Sequence, residues 1–258
     1  MAFSYCRTTV SSPASIPRVE AWGLLGMAIA DYFAGRYRRH SAWLIQEDGE
    51  SWPLPVGEFF RGLDDLPAAE TTALELCAGK VLDVGAGAGC HALALQDQEI
   101  DVRAVDVCPA AVDVMRRRGV RRVEVADFFD PALTGSFDTL LLLMNGIGLV
   151  GDLAGLGRFF DRAGALLADG GQVLFDSCDL REIGNHREIE RIESRVREGR
   201  YRGETIQQLH YRDLRGSPLT WLYVDPETLD HQAALAGWQS QVVFEDEEGG
   251  YLARLVRM

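Results

Sequence analysis

The run Val81-Leu82-Asp83-Val84-Gly85-Ala86-Gly87-Ala88-Gly89-Cys90-His91 constrains this chain more than any other. A short apolar segment carries Asp83, three alternating glycines follow, and the helical stretch Ala92-Leu93-Ala94-Leu95 comes next. That order spells a buried strand, a tight turn and a helix N-terminus, the unit with which open α/β sheets build a ligand crevice. Glycines suit such a turn because they accept left-handed backbone angles and let a ligand lie against the main chain.

The spacing selects among ligands. A dinucleotide fingerprint reads G-x-G-x-x-G, which after Gly85 and Gly87 asks for glycine at position 90. That position is Cys90, and the third glycine stands one residue earlier, at Gly89. The order D-x-G-x-G-x-G resembles motif I of the class I S-adenosylmethionine-dependent methyltransferases, a Rossmann-like family. The bland alternative is a glycine turn joining any strand to any helix. Asp83 is suited either to accept a hydrogen bond near the charged methionine end of the cofactor or to fix the glycine loop.

A chain of 258 residues suits one large domain, or one domain with an extension. Acidic residues outnumber basic ones, 39 to 26, and the formal charge is −13. Such a surface repels phosphate backbones, which argues against nucleic acid as a partner. The basic clusters at 36–40 and 116–122 read as solvated helix ends. No apolar run reaches the roughly 18 residues of a membrane span. Residues 1–19 read as a loose arm without a signal-peptide core. Five scattered cysteines without a C-x-x-C pair point to a reduced cytoplasm rather than to disulfides or zinc.

Residues 21–37 form an amphipathic helical pattern, with Trp22, Leu25, Ile29, Tyr32 and Phe33 on one face. The stretch 41–60 is less regular, and 68–77 is helical again. From Lys80 strands and helices alternate, the mark of a parallel sheet covered on both faces. Strands are expected at 81–84, 102–107, 122–126, 139–144 and 172–176, with helices at 89–96, 109–119 and 153–167. The highly charged segment 181–200 reads as an exposed helix or mobile loop. Segments 201–213 and 219–224 read as an antiparallel pair. Asp225 and Pro226 open a helix over 227–236, and 238–245 with 251–256 make a closing hairpin.

This order of elements is similar to the class I methyltransferase fold over residues 76–258. The expectation is an α/β protein: a three-layer, doubly wound, mostly parallel seven-stranded sheet with a late antiparallel hairpin. To it are added an N-terminal helical cap over 20–75 and a β-hairpin insertion, 201–224, placed as a lid.

The resemblance implies S-adenosylmethionine as cofactor, S-adenosylhomocysteine as product, and a site built from Asp83, Gly85, Ala86, Gly87, Asp106, Val107, Asp127, Phe128, Met144 and Asn145. Asp106 would accept from both ribose hydroxyls. Asp127 would accept from the adenine amino group while Phe128 packs on the ring or fills core. Asn145 would bind the cofactor's amino group or orient the substrate. Amine- and amide-methylating members often carry an N-P-P-Y type run here; only its Asn is present, so that specialised reading is not supported. His91 is suited to the methionine carboxylate or to a helix surface, and Cys90 to packing. Tyr32, Tyr37 and Trp221 are the candidate acceptor-side residues, by position alone.

The implied reaction is displacement at the sulfonium methyl by an O, N, C or S atom of a small molecule. The donor is intrinsically reactive, so the protein chiefly aligns the reactants and excludes water. No catalytic residue is assigned; His186, His210, Tyr211 and Asp176 are base candidates that the spacing does not separate. A protein or peptide acceptor, a catalytically silent binding subunit and an NAD-linked oxidoreductase are the rivals. The expected partners are a small molecule, with no nucleic acid or membrane, in a monomer or homodimer.

Overall fold

The strands at the centre of the molecule are apolar on both faces, and the two faces feed different cores. In the computed structural model, which describes residues 18–183 and 185–258, Leu82, Leu140, Leu142, Val173 and Phe175 join one core. Their chain neighbours Val81, Leu141, Leu143 and Leu174 join the other. Side chains alternate across a strand, so a strand covered on both sides must be apolar at every position.

In chain order the elements begin with α1 (Arg18–Phe33), β1 (Ala42–Gln46), β2 (Ser51–Pro53), α2 (Ala68–Leu76), β3 (Lys80–Val84), α3 (Cys90–Asp97) and β4 (Asp101–Asp106). There follow α4 (Pro109–Arg118), β5 (Val123–Val125), β6 (Phe137–Leu142), α5 (Gly155–Leu166), β7 (Leu167–Cys178) and α6 (His186–Arg197). The chain closes with β8 (Glu204–Tyr211), β9 (Leu214–Arg215), β10 (Leu219–Leu222), α7 (Pro226–Leu235), β11 (Trp238–Glu245) and β12 (Gly250–Arg257). Short 3₁₀ turns occupy Val56–Phe60 and Gly146–Val150.

The main sheet has seven strands in the order β11-β12-β7-β6-β3-β4-β5. Strands β3 to β7 run parallel, and β12 is antiparallel to both β7 and β11. The order reverses between β3 and β6, which opens a crevice at their carboxyl ends. Helices α5 and α7 cover one face, and α2, α3 and α4 the other. The doubly wound, mostly parallel sheet and its late hairpin are as expected from the sequence. Asp225 caps α7 by accepting from the Thr228 N–H at 3.0 Å.

A second, wholly antiparallel sheet runs β10-β8-β1-β2, with β9 paired to β8. Its partners come from two places: β1 and β2 lie in the stretch read as less regular, and β8 to β10 lie in the insertion. The N-terminal cap is therefore helix plus hairpin, and the insertion completes its sheet. Helix α1 packs on α4 and β8, and so ties this sheet to the main one.

Helix α6 needs a correction. Its charged face is the buried one: Arg195 is 1% exposed, and Glu188 and Arg191 are buried. Arg195 donates to Glu47 at 3.0 Å and to Glu188 at 2.9 Å, and Arg191 pairs with Asp48, Glu50 and Glu188. The turn joining β1 to β2 supplies the acids that pull this face inward. Ile189 and Val196, by contrast, are exposed. No helix among the described residues is long and apolar enough to cross a membrane. The greater part of the expected N-terminal arm, residues 1–17 including Cys6, lies outside the described residues.

Candidate functional site

A cavity of about 560 Å³ lies at the carboxyl ends of the parallel strands, beneath α1, the 3₁₀ turn after β2, and the second sheet. Its floor carries Asp83 on β3 with Gly85 and Ala86 just after it, Asp106 at the end of β4 with Val107 next, Asp127 and Phe128 after β5, Met144 and Asn145 after β6, and Asp176 on β7. Its roof carries Trp22, Leu25, Leu44, Phe59, Gln207, Trp221 and Tyr223.

The three glycines do three jobs. Gly85 (φ +71°) has open space where a Cβ would stand, so the main chain there is bare to the cavity. At Gly87 (φ +57°) a Cβ would come within 2.8 Å of the Phe59 ring, so this glycine lies beneath an aromatic from the cap. At Gly89 (φ +82°) a Cβ would meet Val120 at 2.9 Å and Met115 at 3.0 Å, where the loop packs beside α4. Four of the loop's amides are already engaged. Gly85 and Ala86 donate to the Val105 carbonyl at 2.9 and 3.1 Å, Gly89 to the Ala86 carbonyl at 2.7 Å, and Gly87 to Asp106 Oδ2 at 2.9 Å. A phosphate-gripping loop needs such N–H groups turned outward.

Carboxylates dominate the wall. Asp83 is 2% exposed and its Oδ2 has no hydrogen-bond partner. Loss of hydration pushes its pKa up to about 6; the charge of His91 opposes this and that of Asp106 adds to it. Asp106 is likewise raised to about 6 by loss of hydration, against the pull of the Cys108 and Gly87 N–H groups. Each of its oxygens holds one of those amides, at 2.8 and 2.9 Å, which fixes the side chain and leaves further lone pairs. Asp176 is raised to about 6 for the same reason, opposed by the Asn145 N–H that it accepts at 2.8 Å.

Met144 (φ +61°) and Asn145 (φ +56°) are consecutive left-handed residues that are not glycine, an arrangement that stores strain where strand β6 meets the cavity. Asn145 Oδ1 is buried without a partner. Beside this turn Glu70 accepts from Arg61 at 2.6 Å and meets His91 Nε2 at 2.6 Å. Burial pushes His91 down, but its bonds to Cys90 and Glu70 and the charge of Asp83 outweigh this and hold it well above the usual histidine range. Glu70 stays below the usual glutamate value, because His91 and Arg61 overcome the loss of hydration. Arg61 Nε is buried and unpartnered.

Of the residues singled out in the sequence, Asp83, Gly85, Ala86, Asp106, Val107, Asp127, Phe128, Met144, Asn145 and Trp221 all line this one cavity. Gly87 does not, being covered by Phe59. Tyr32 and Tyr37 also lie off it. Tyr32 stacks on Phe60 at 4.6 Å, and Tyr37, beyond the end of α1, stacks on Tyr211 at 6.2 Å. Among the base candidates Asp176 lines the cavity, whereas His186 is exposed on α6, His210 pairs with Gln208, and Tyr211 donates to Asp31. Arg61 and Glu70 were missed. They lie in the cap, and only the folded chain brings them to His91. No group of residues able to hold a metal ion occurs among the described residues.

Residues 82–175 match the family model described as a methyltransferase domain. The chain is 35% identical to an S-adenosylmethionine-dependent methyltransferase from Bacteroides fragilis, solved with S-adenosyl-L-homocysteine; the match covers 94% of this chain and 98% of that one, with a TM-score of 0.81. The fold is also shared with the CcbJ methyltransferase from Streptomyces caelestis (14% identity, 76% and 94% covered, TM-score 0.57). DesVI from Streptomyces venezuelae is comparable (16% identity, 74% and 91% covered, TM-score 0.53). No protein of curated function matches the sequence.

The chain belongs to the S-adenosylmethionine-dependent methyltransferases, and S-adenosylmethionine is its methyl donor. The cavity fits that group. A bare glycine main chain and the unpartnered acceptor on Asp83 suit a nucleoside with an ammonium and a sulfonium. The engaged loop amides and the carboxylate wall do not suit a pyrophosphate, which disposes of the oxidoreductase alternative.

Proposed function

We propose that this enzyme methylates a small molecule held between the main sheet and the second sheet, in the cytoplasm. The observation that carries this reading is the roof: two distant pieces of chain close over the strand ends and leave a walled cavity. A chamber of this size (typical pockets are roughly 300–1,000 Å³), shared with the methyl donor, suits a small ligand beside it. The acidic surface speaks against nucleic acid, and the free thiols at Cys77, Cys90, Cys108 and Cys178 suit a reducing compartment.

When bound, S-adenosylmethionine supplies a methyl group on a positively charged sulfur, open to in-line displacement. The chain's own residues bind and orient. Asp106, pinned by two amides, accepts from the ribose hydroxyls. Asp127, with Oδ1 holding the Phe129 N–H at 2.9 Å, keeps its other oxygen for the adenine amino group, beside the Phe128 ring. Asp83 Oδ2 receives the amino group of the methionine end, while Arg61 Nε and His91 face its carboxylate. Ala86, Val107 and Met144 shape the walls, and Trp221 with Trp22 excludes water from above.

Calorimetry with S-adenosylmethionine and NAD, followed by labelled-methyl transfer to small-molecule and protein fractions, tests the proposal. Binding of the first ligand alone and label in small molecules are expected. Label confined to protein would overturn the small-molecule reading, and binding without transfer to any acceptor would mark a silent subunit.

A further inference from the structure

We propose that the acceptor is an amine that enters as a cation and is met by aromatic rings, by Asn145 and by Asp176; this rests on the methyl-transfer reading above. Among the described residues the lining holds the carboxylates of Glu58, Glu70, Asp83, Asp106, Asp127 and Asp176, and two cationic side chains, Arg61 and His91, both bonded to Glu70. Even with one cationic donor in place, such a wall favours a second positive ligand over a neutral or negative one.

The aromatic part lines the same cavity, above the turn after β6. Trp221 lies so close over Gly148, in the turn after β6, that a Cβ there would fall 2.1 Å from its ring. Trp22 meets it edge to face, with ring centroids 5.1 Å apart. Indole faces attract ammonium groups more strongly than they attract alcohols. Asn145 Oδ1, buried and without a partner, calls for a hydrogen-bond donor, which an ammonium supplies and a carboxylate acceptor does not. Asp176 stands against the same residue, accepting its main-chain N–H. The absence of an N-P-P-Y run does not bear against this, because charge and an adjacent carboxylate take over the task of holding the nitrogen.

The chemistry closes. The ammonium gives a proton to the Asp176 carboxylate, which burial has made a proton acceptor near neutrality. The freed nitrogen lone pair forms the N–C bond as the methyl–sulfur bond breaks; that bond's electron pair stays on sulfur, and a methylated ammonium leaves.

The test uses the full chain loaded with S-adenosylhomocysteine at pH 7.5 and three probes of matched shape: benzylamine, benzyl alcohol and benzoate. Binding is followed by calorimetry and by tryptophan fluorescence. Benzylamine is expected to bind at least tenfold more tightly than benzyl alcohol, and benzoate more weakly than either. Asp176→Asn, whose amide oxygen still accepts the Asn145 N–H, should shrink the amine preference severalfold, and Trp221→Leu should do the same from the other wall. Equal or tighter binding of the alcohol or acid, no binding of benzylamine, or a preference that survives in both variants would overturn the proposal. Failure of S-adenosylhomocysteine itself to bind would remove the methyl-transfer reading instead, and the loading step reports that separately.

Discussion

Alanine at Gly85 and alanine at Gly89 probe different properties of one loop. Both positions are left-handed, which costs a residue with a Cβ about 1–2 kcal/mol. At Gly89 the new methyl also crowds Val120 and Met115, so Gly89→Ala should destabilise the protein by about 2–4 kcal/mol in denaturant titrations. At Gly85 the methyl meets only the cavity. Gly85→Ala should cost little beyond the backbone term, yet weaken S-adenosylmethionine binding at least tenfold by calorimetry. Asp106→Ala removes an ionised acceptor and should weaken binding roughly 10- to 150-fold while the protein stays folded; unchanged affinity would refute the ribose role. The buried acids also make binding pH-dependent. Asp83, Asp106 and Asp176 hold protons up to about pH 6 in the free protein, against about 3.9 when unfolded. Their contribution to stability is present below about pH 4 and falls away as pH rises through 6. A cationic ligand favours their charged forms, so affinity should climb between pH 5 and 7 with protons released, measurable in buffers of different ionisation enthalpy. Most of these residues were legible beforehand, because the floor of the cavity is built from consecutive strand ends whose spacing the sequence displays.

At the scale of elements, α6 shows where sequence reading fails. Ile189, Ile192 and Val196 recur at helical spacing, as a buried stripe would, yet the face that goes inward is Glu188, Arg191 and Arg195. Periodicity records which residues lie together, not which way they face. The partners that decide the matter, Glu47, Asp48 and Glu50, stand far away in the chain. Strands β1 and β2 were missed for the same reason, since β1 is completed by β8. Arg195→Ala leaves Glu188 buried and short of a partner, and should cost about 3 kcal/mol in chemical denaturation. Because the same residue anchors the β1–β2 turn, it should also raise KM for the acceptor more than it lowers affinity for the methyl donor.

Across the whole molecule the two sheets differ in kind. The main sheet carries core on both faces, whereas the second exposes Ile206 and Leu214 and stands mostly half-buried. Amide exchange should therefore be faster in the edge strands β2, β9 and β10 than in β3, β6 and β7, with the roof protected once donor and acceptor are both bound. One detail of the glycine loop reaches further than the enzyme itself. The amides of Gly85, Ala86, Gly87 and Gly89 are occupied before any ligand arrives, and acids surround them. A cell is crowded with adenosine compounds that carry phosphates, all sharing half their structure with the methyl donor. This crevice offers them a repulsive wall and nothing to hold, so ATP should not compete, and the enzyme can work undisturbed in a compartment where its donor is the scarcer nucleoside.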